Sequence, residues 1–154
     1  MKIRKFEEKD LPQVLKLCKE VRDYHIKILD GYFTPQDDNI EKLGFLESLK
    51  NDKVIALKAE EDDLILGYLL AENRYSPYLS APNVMHISNI GIKEGLRGKG
   101  LGKAIMSAFC DICRQNDIDE IRLGVFNKNV SAYKFYEKYG FEPFEQRMKL
   151  QLKK

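Results

Sequence analysis

The chain predicts a mixed α/β fold, with helices packed on a twisted mixed sheet. Three observations predict it. Apolar stripes of helical period alternate along the chain with short apolar runs of strand character. An acidic turn, EEDD, joins two of those runs as a hairpin would. A glycine-rich turn leads from a long strand pattern straight into a helix pattern. At 154 residues, 44% hydrophobic and 32% charged, the chain has the length and composition of one domain, residues 1–154, with a real core.

Each element has a local reason. KIRKF reads as a short strand. Asp10 can cap the helix that follows, and Pro12 falls in its first turn, where a missing N–H costs little. Val14, Cys18, Val21, His25 and Ile28 then form one helical stripe. DGYFTP breaks it, and a second, less regular helix runs from about Pro35 to Lys50. VIALKA and LILGYLLAE form the hairpin around EEDD, and SPYLSAP is a loop. VMHISNIGI is a strand, followed by the glycine turn and a helix from about Gly100 to Gln115. EIRLGVF is another strand, and NVSAYKFYEKYG is a short helix stopped by Gly140. FEPF and QRMKLQL close the chain as strands. The sheet should therefore hold about six to seven strands, flanked by about four helices.

Charge and composition exclude several functions. The net charge is +2, so no general nucleic-acid surface is signalled. No run approaches a membrane span, and the charged opening MKIRKFEEKD lacks the apolar stretch of a signal peptide. The three cysteines, Cys18, Cys110 and Cys113, read as reduced thiols of a cytoplasmic protein. Cys110 and Cys113 sit late in a helix beside Phe109 and Ile112, which fits core packing. With His25 and His86 they make no zinc spacing, so no metal is expected.

The chemistry concentrates in GLRGKGLGKAIM, residues 95–106. A strand ends, the chain turns, and a helix begins whose first N–H groups have no partner inside the helix. That geometry, with the helix dipole, attracts phosphate. Gly98, Gly100 and Gly102 keep side chains off the backbone, and Arg97, Lys99 and Lys103 add positive charge. The P-loop pattern fails, because Arg97 stands where its first glycine belongs and Ala104 where Ser or Thr should follow. The dinucleotide fingerprint fails because Lys103 holds its third glycine position. What remains is R-x-x-G-x-G at Arg97, Gly100 and Gly102.

This pattern resembles motif A of the GNAT superfamily of N-acetyltransferases. NVSAYKFYEKYGF resembles motif B of the same family, N-x-x-A-x-x-x-Y-E-x-x-G-F, at Asn129, Ala132, Tyr136, Glu137, Gly140 and Phe141. The opening IRKFEEKDLPQVLKLCKEV and the stretch from His25 to Pro35 are also similar to some members. The resemblance implies a GNAT-like fold and an acetyl-CoA-dependent transfer of an acetyl group to a primary amine. It implies that backbone from Arg97 through Gly98, Lys99, Gly100, Leu101 and Gly102 to Lys103 binds the cofactor pyrophosphate. Ile90, Gly91 and Ile92 would pair with the pantetheine arm and hold the oxyanion, and Asn129 would contact the cofactor.

Tyr136 matches the family tyrosine that protonates the departing thiolate. The base is open. Some members carry a strand glutamate where this chain has Leu123-Gly124-Val125. His86, or a chain of ordered water, is left to take the amine proton. The acceptor, a small-molecule or peptide amine, would enter past HIKILDGYFTP, with Tyr32 and Phe33 as an apolar wall and Asp30 attracting a cation. A non-catalytic acyl-CoA-binding module on the same fold is the alternative. Oligomeric state is left open, with QRMKLQL available to pair in a homodimer.

Overall fold

The computed structural model describes residues 1–30, 32–34 and 37–152. It separates into two compact units, Met1–Gly124 and Val125–Lys154. The first unit holds a five-stranded sheet in the order β1-β2-β3-β4-β5. The strands are β1 (Lys2–Lys5), β2 (Val54–Glu61), β3 (Leu64–Tyr75), β4 (Asn83–Ile92) and β5 (Glu120–Leu123). The first four are antiparallel neighbours, and β5 lies parallel to β4. A parallel neighbour needs a crossover, and α3 (Leu101–Gln115) supplies it.

Helices cover both faces. Between β1 and β2 come α1 (Leu11–Ile28) and α2 (Asp38–Lys50). The start expected at Pro35 lies outside the described residues. Val14, Leu17 and Cys18 of α1 and Phe45 of α2 are buried with Phe6, Ala56, Tyr68 and Leu70 in one cluster. The opposite face takes α3. A side chain added at Gly67 of β3 would come 2.9 Å from Ile105 of α3, and Ile105, Met106 and Phe109 are fully buried. Cys110 and Cys113 are buried on the same helix and form no disulfide, as core packing requires.

The EEDD turn is a two-residue hairpin loop. Asp62 and Asp63 both take left-handed backbone, at φ 48° and 62°, as a loop matched to strand twist demands. Asp10 occupies the N-cap position of α1 but makes no capping bond. Its carboxylate instead accepts the Glu7 N–H at 2.8 Å and the ammonium of buried Lys58 at 2.9 Å. The charge on Lys58 must be neutralised inside the fold, and that need outweighs the cap.

The second unit contains α4 (Val130–Tyr139), stopped by Gly140 at φ 111°. Among the described residues the two closing strands expected from FEPF and QRMKLQL are not formed, and the sheet has five strands rather than six or seven. Met148, Leu150 and Leu152 do alternate with polar residues, yet each is more than four-fifths exposed. Alternation gives a strand only where a neighbouring ladder accepts it, and these residues pair with no strand.

Candidate active site

The site is organised by β4. Its register against β3 slips between Leu70 and Ala71, which face Asn89 and Ile87, leaving Ser88 as the extra residue of a β-bulge. The Ser88 hydroxyl donates to the Leu70 carbonyl at 3.1 Å. On its other side β4 pairs with β5 only from Val84 to Ile87. Beyond the bulge, residues 89–92 pair with β3 alone among the described residues, so one edge of the strand has no strand partner where Ile90, Gly91 and Ile92 lie.

The glycine turn follows directly. The Leu96 N–H donates to the Lys93 carbonyl, and the Lys99 N–H to Leu96. Gly98 and Gly100 have φ of 77° and 87°, a region that side chains other than glycine's enter at a cost. Gly100 is the N-cap of α3 and provides no side chain to cap it, and the first turn carries no acidic residue. The N–H groups at Leu101, Gly102 and Lys103 therefore start a helix that is open and electropositive, with Lys99 and Lys103 exposed around it. Arg97 is tied down. Its Nε donates to the Ile92 carbonyl at 3.3 Å, and its guanidinium lies 5.2 Å from the centre of the Tyr24 ring. Glu20, one turn earlier on α1, accepts the Glu94 N–H at 3.1 Å. Strand end, turn and α1 are thus one assembly. Glu20 and Tyr24 were not singled out in the sequence, although their i, i+4 spacing puts them on one helix face.

The acceptor-side residues are partly gathered. Phe33 meets Tyr32 at 5.0 Å and His25 at 6.3 Å between ring centres. Burial lowers the His25 pKa, opposed by its bond to the Val21 carbonyl, and the nearby Arg97 lowers it further. His25 is therefore a neutral wall residue. Tyr32 is half exposed, and Asp30 is exposed at the end of α1. Gly31 and Pro35 of this lip lie outside the described residues. His86 stands opposite Glu72 on β3 and Arg122 on β5, so its side chain shares a face with Glu72. A shallow hollow of ≈ 260 Å³ beside the bulge includes Glu47, Ser48, Asn51, Glu72 and Ser88 in its lining. No acidic groove is evident in the sequence, because Glu47 and Glu72 come from different elements.

Five residues join β3 and β4 to the helices. The Tyr68 hydroxyl donates to Asn89 Oδ1 at 2.8 Å, and Asn89 Nδ2 donates to Cys18 Sγ at 3.5 Å. The Cys18 thiol donates to Glu41 at 2.8 Å, and Arg22 closes on the other Glu41 oxygen at 2.8 Å. Burial, with the Glu41 carboxylate beside it, pushes the Cys18 pKa up to about 11, so the thiol keeps its proton. No local signal in the sequence marks this network, since Asn89 is one of several polar residues of β4, with Asn83, His86 and Ser88.

In the second unit, Asn129 is the N-cap of α4. Its side chain accepts the Ala132 N–H at 3.3 Å, and the residue is 7% exposed. Tyr136 lies between the rings of Phe135 and Phe141, at 5.3 and 5.7 Å. Burial pushes its pKa up to about 12. Among the described residues, no cluster of three or more His, Cys, Asp or Glu could hold a metal, and no helix is long and apolar enough to cross a membrane.

Glucosamine 6-phosphate N-acetyltransferase of Trypanosoma brucei brucei is 36% identical over 69 residues, covering 45% of this chain and 45% of that enzyme. The chain spans less than half the length of the first curated relatives it matches. A mutant of the BH1408 protein of Bacillus halodurans superposes with a TM-score of 0.90 at 25% identity, over 99% of both chains. A predicted acetyltransferase of Clostridium acetobutylicum, solved with acetyl-CoA, shares the fold with a TM-score of 0.76 at 20% identity, over 98% of this chain and 96% of that one. The model of the acetyltransferase (GNAT) family matches residues 16–141, reaching from α1 through the glycine turn to the end of motif B. The chain belongs to the acetyltransferase (GNAT) family.

Proposed function

We propose that residues 1–154 work as a single N-acetyltransferase domain that moves the acetyl group of acetyl-CoA to a primary amine. The observation that carries this reading is the open edge of β4, which runs into a helix with an uncapped, electropositive start. Backbone N–H groups of residues 97–103 suit a pyrophosphate. Lys99 and Lys103 add charge, while Arg97 fixes the turn to β4. Residues 90–92 offer an edge that an extended pantetheine arm can join as an added strand does. An N–H near Ile90 or Gly91 polarises the thioester carbonyl and holds the oxyanion. Asn129 acts on the cofactor through the helix start that it caps.

The amine must lose a proton before it attacks, since its ordinary pKa is near ~10.4. His86 takes it, directly or through ordered water, and Glu72 on the same face steadies the imidazolium. Tyr136, protonated at neutral pH, gives its proton to the departing thiolate. Glu47, Glu72 and Asp30 favour an acceptor that is itself positively charged, with Tyr32 and Phe33 as its apolar wall. Cysteines that form no disulfide fit a reducing compartment, and we place the enzyme in the cytoplasm. Gly124, where some members carry a glutamate, favours a second reading, an acyl-CoA-binding module without turnover.

Thermal melting with acetyl-CoA, and with adenosine diphosphate for comparison, tests the proposal. A ligand at 100 times its Kd stabilises by about 2.7 kcal/mol. Acetyl-CoA should raise Tm well beyond the diphosphate, and CoA release across a panel of amines should separate enzyme from module. Equal shifts, or none, would remove the assignment.

A further inference from the structure

The geometry points to Tyr68 as a positioning residue that fixes the backbone at residues 90–91 for the thioester carbonyl. This inference rests on the proposed function above. Beyond Ile87, β4 has no β5 partner, and the bulge at Ser88 loosens its register against β3. A backbone donor in such a segment needs another restraint, because a small misplacement is costly where charge develops. Tyr68 supplies it on both sides of Ile90. Its hydroxyl holds the Asn89 side chain at 2.8 Å. Its ring lies so close to Gly91 that an added Cβ there would come 2.5 Å from Tyr68 Cε1 and 3.0 Å from Val21. Gly91 is thus required by close approach, and the strand backbone rests on the ring.

The restraint is anchored behind. Donors run in one direction, from Tyr68 to Asn89, from Asn89 to Cys18 and from Cys18 to Glu41, which Arg22 also grips. Tyr68 is fully buried and Cys18 is 4% exposed, so water has little access to their ends of these bonds, while Asn89, Glu41 and Arg22 are half-buried. The network links α1, α2, β3 and β4, and it ends beside the two peptide groups that face the reacting carbonyl.

Infrared difference spectra of bound acetyl-CoA carrying a 13C carbonyl read this directly, without an acceptor. In the wild-type protein the bound carbonyl band should lie below that of free acetyl-CoA. Tyr68→Phe keeps the ring on Gly91 and removes only the hydroxyl. It should lose at least about half of that shift while its acetyl-CoA Kd stays within about threefold, since most of the cofactor grip lies in the turn. Asn89→Ala should behave alike, and it decides the matter if Tyr68→Phe does not fold. Full retention of the wild-type shift in either folded variant overturns the positioning role and leaves the proposed function standing. Wild-type protein that binds acetyl-CoA without shifting the band, or does not bind it, overturns the assignment of residues 90–91 and this inference with it.

Discussion

Two residues of motif B show how differently a matched position can be used. Asn129 has its side-chain oxygen committed to the Ala132 N–H, so its first task is to begin α4. Tyr136 has no hydrogen bond to its hydroxyl among the described residues, and its ring is held by Phe135 and Phe141. Burial pushes its pKa up to about 12. At any pH below that value the phenol carries its proton, so it is in the form a departing thiolate needs, although burial also makes it a weaker donor than an exposed phenol. Tyr136→Phe should lower kcat by about 10²–10⁴, the usual worth of a positioned proton donor, with acetyl-CoA affinity unchanged. Steady-state kinetics beside a binding titration check this. Between pH 7 and 10 the tyrosine stays protonated, so any rise of wild-type kcat across that range reports loss of a proton elsewhere, from the base or the amine. A kcat in Tyr136→Phe equal to wild type would assign the ring to packing.

Among the elements, the turn into α3 carries the clearest consequence. Gly100 has φ 87° and stands at the helix start, while Gly95 has φ 81° earlier in the same turn. An alanine at either is strained by about 1–2 kcal/mol. Both Gly95→Ala and Gly100→Ala should therefore lower Tm similarly, but only Gly100→Ala should also diminish the Tm rise given by acetyl-CoA. Melting curves with and without cofactor separate the two effects. This turn was legible in the sequence because glycine, cation and helix period are all local signals. The α1 stripe and the β2–β3 hairpin were legible for the same reason. The network behind β4 was not. Asn89 and Cys18 lie 71 positions apart, and Cys18 and Glu41 lie 23 apart, so only the packed fold reveals that they meet. The closing strands failed from the opposite cause. Alternation at Met148, Leu150 and Leu152 is a local signal, but a strand also needs a partner ladder that no local signal reports.

Over the whole molecule, buried groups that are neutral at pH 7 set the alkaline limit of stability. Burial pushes the thiol of Cys18 up to about 11 and that of Cys113 up to about 12. It raises the Tyr68 hydroxyl well above 10.0, and Tyr136 to about 12. In the unfolded chain these thiols ionise near ~8.5 and these phenols near ~10. Between the unfolded and folded values the native state binds more protons than the unfolded one, so stability falls as pH rises. Lys58 acts in the same direction. Burial lowers its pKa, but the bonds it donates to Glu60 and Asp10 and the charge of both carboxylates outweigh that and raise it, and that contribution is lost as pH climbs through its folded value. Glu60, held below 4.5 by Lys58, contributes instead on the acid side and is lost as pH falls. Tm should therefore stay level through neutrality and decline steadily above about pH 9. Cys18→Ser keeps a donor to Glu41 but removes the thiol titration, so between about pH 9 and 11 its decline should be shallower than wild type. Parallel slopes for the two proteins would show that Cys18 ionises alike in the folded and unfolded states, and that its bond to Glu41 does not hold the proton.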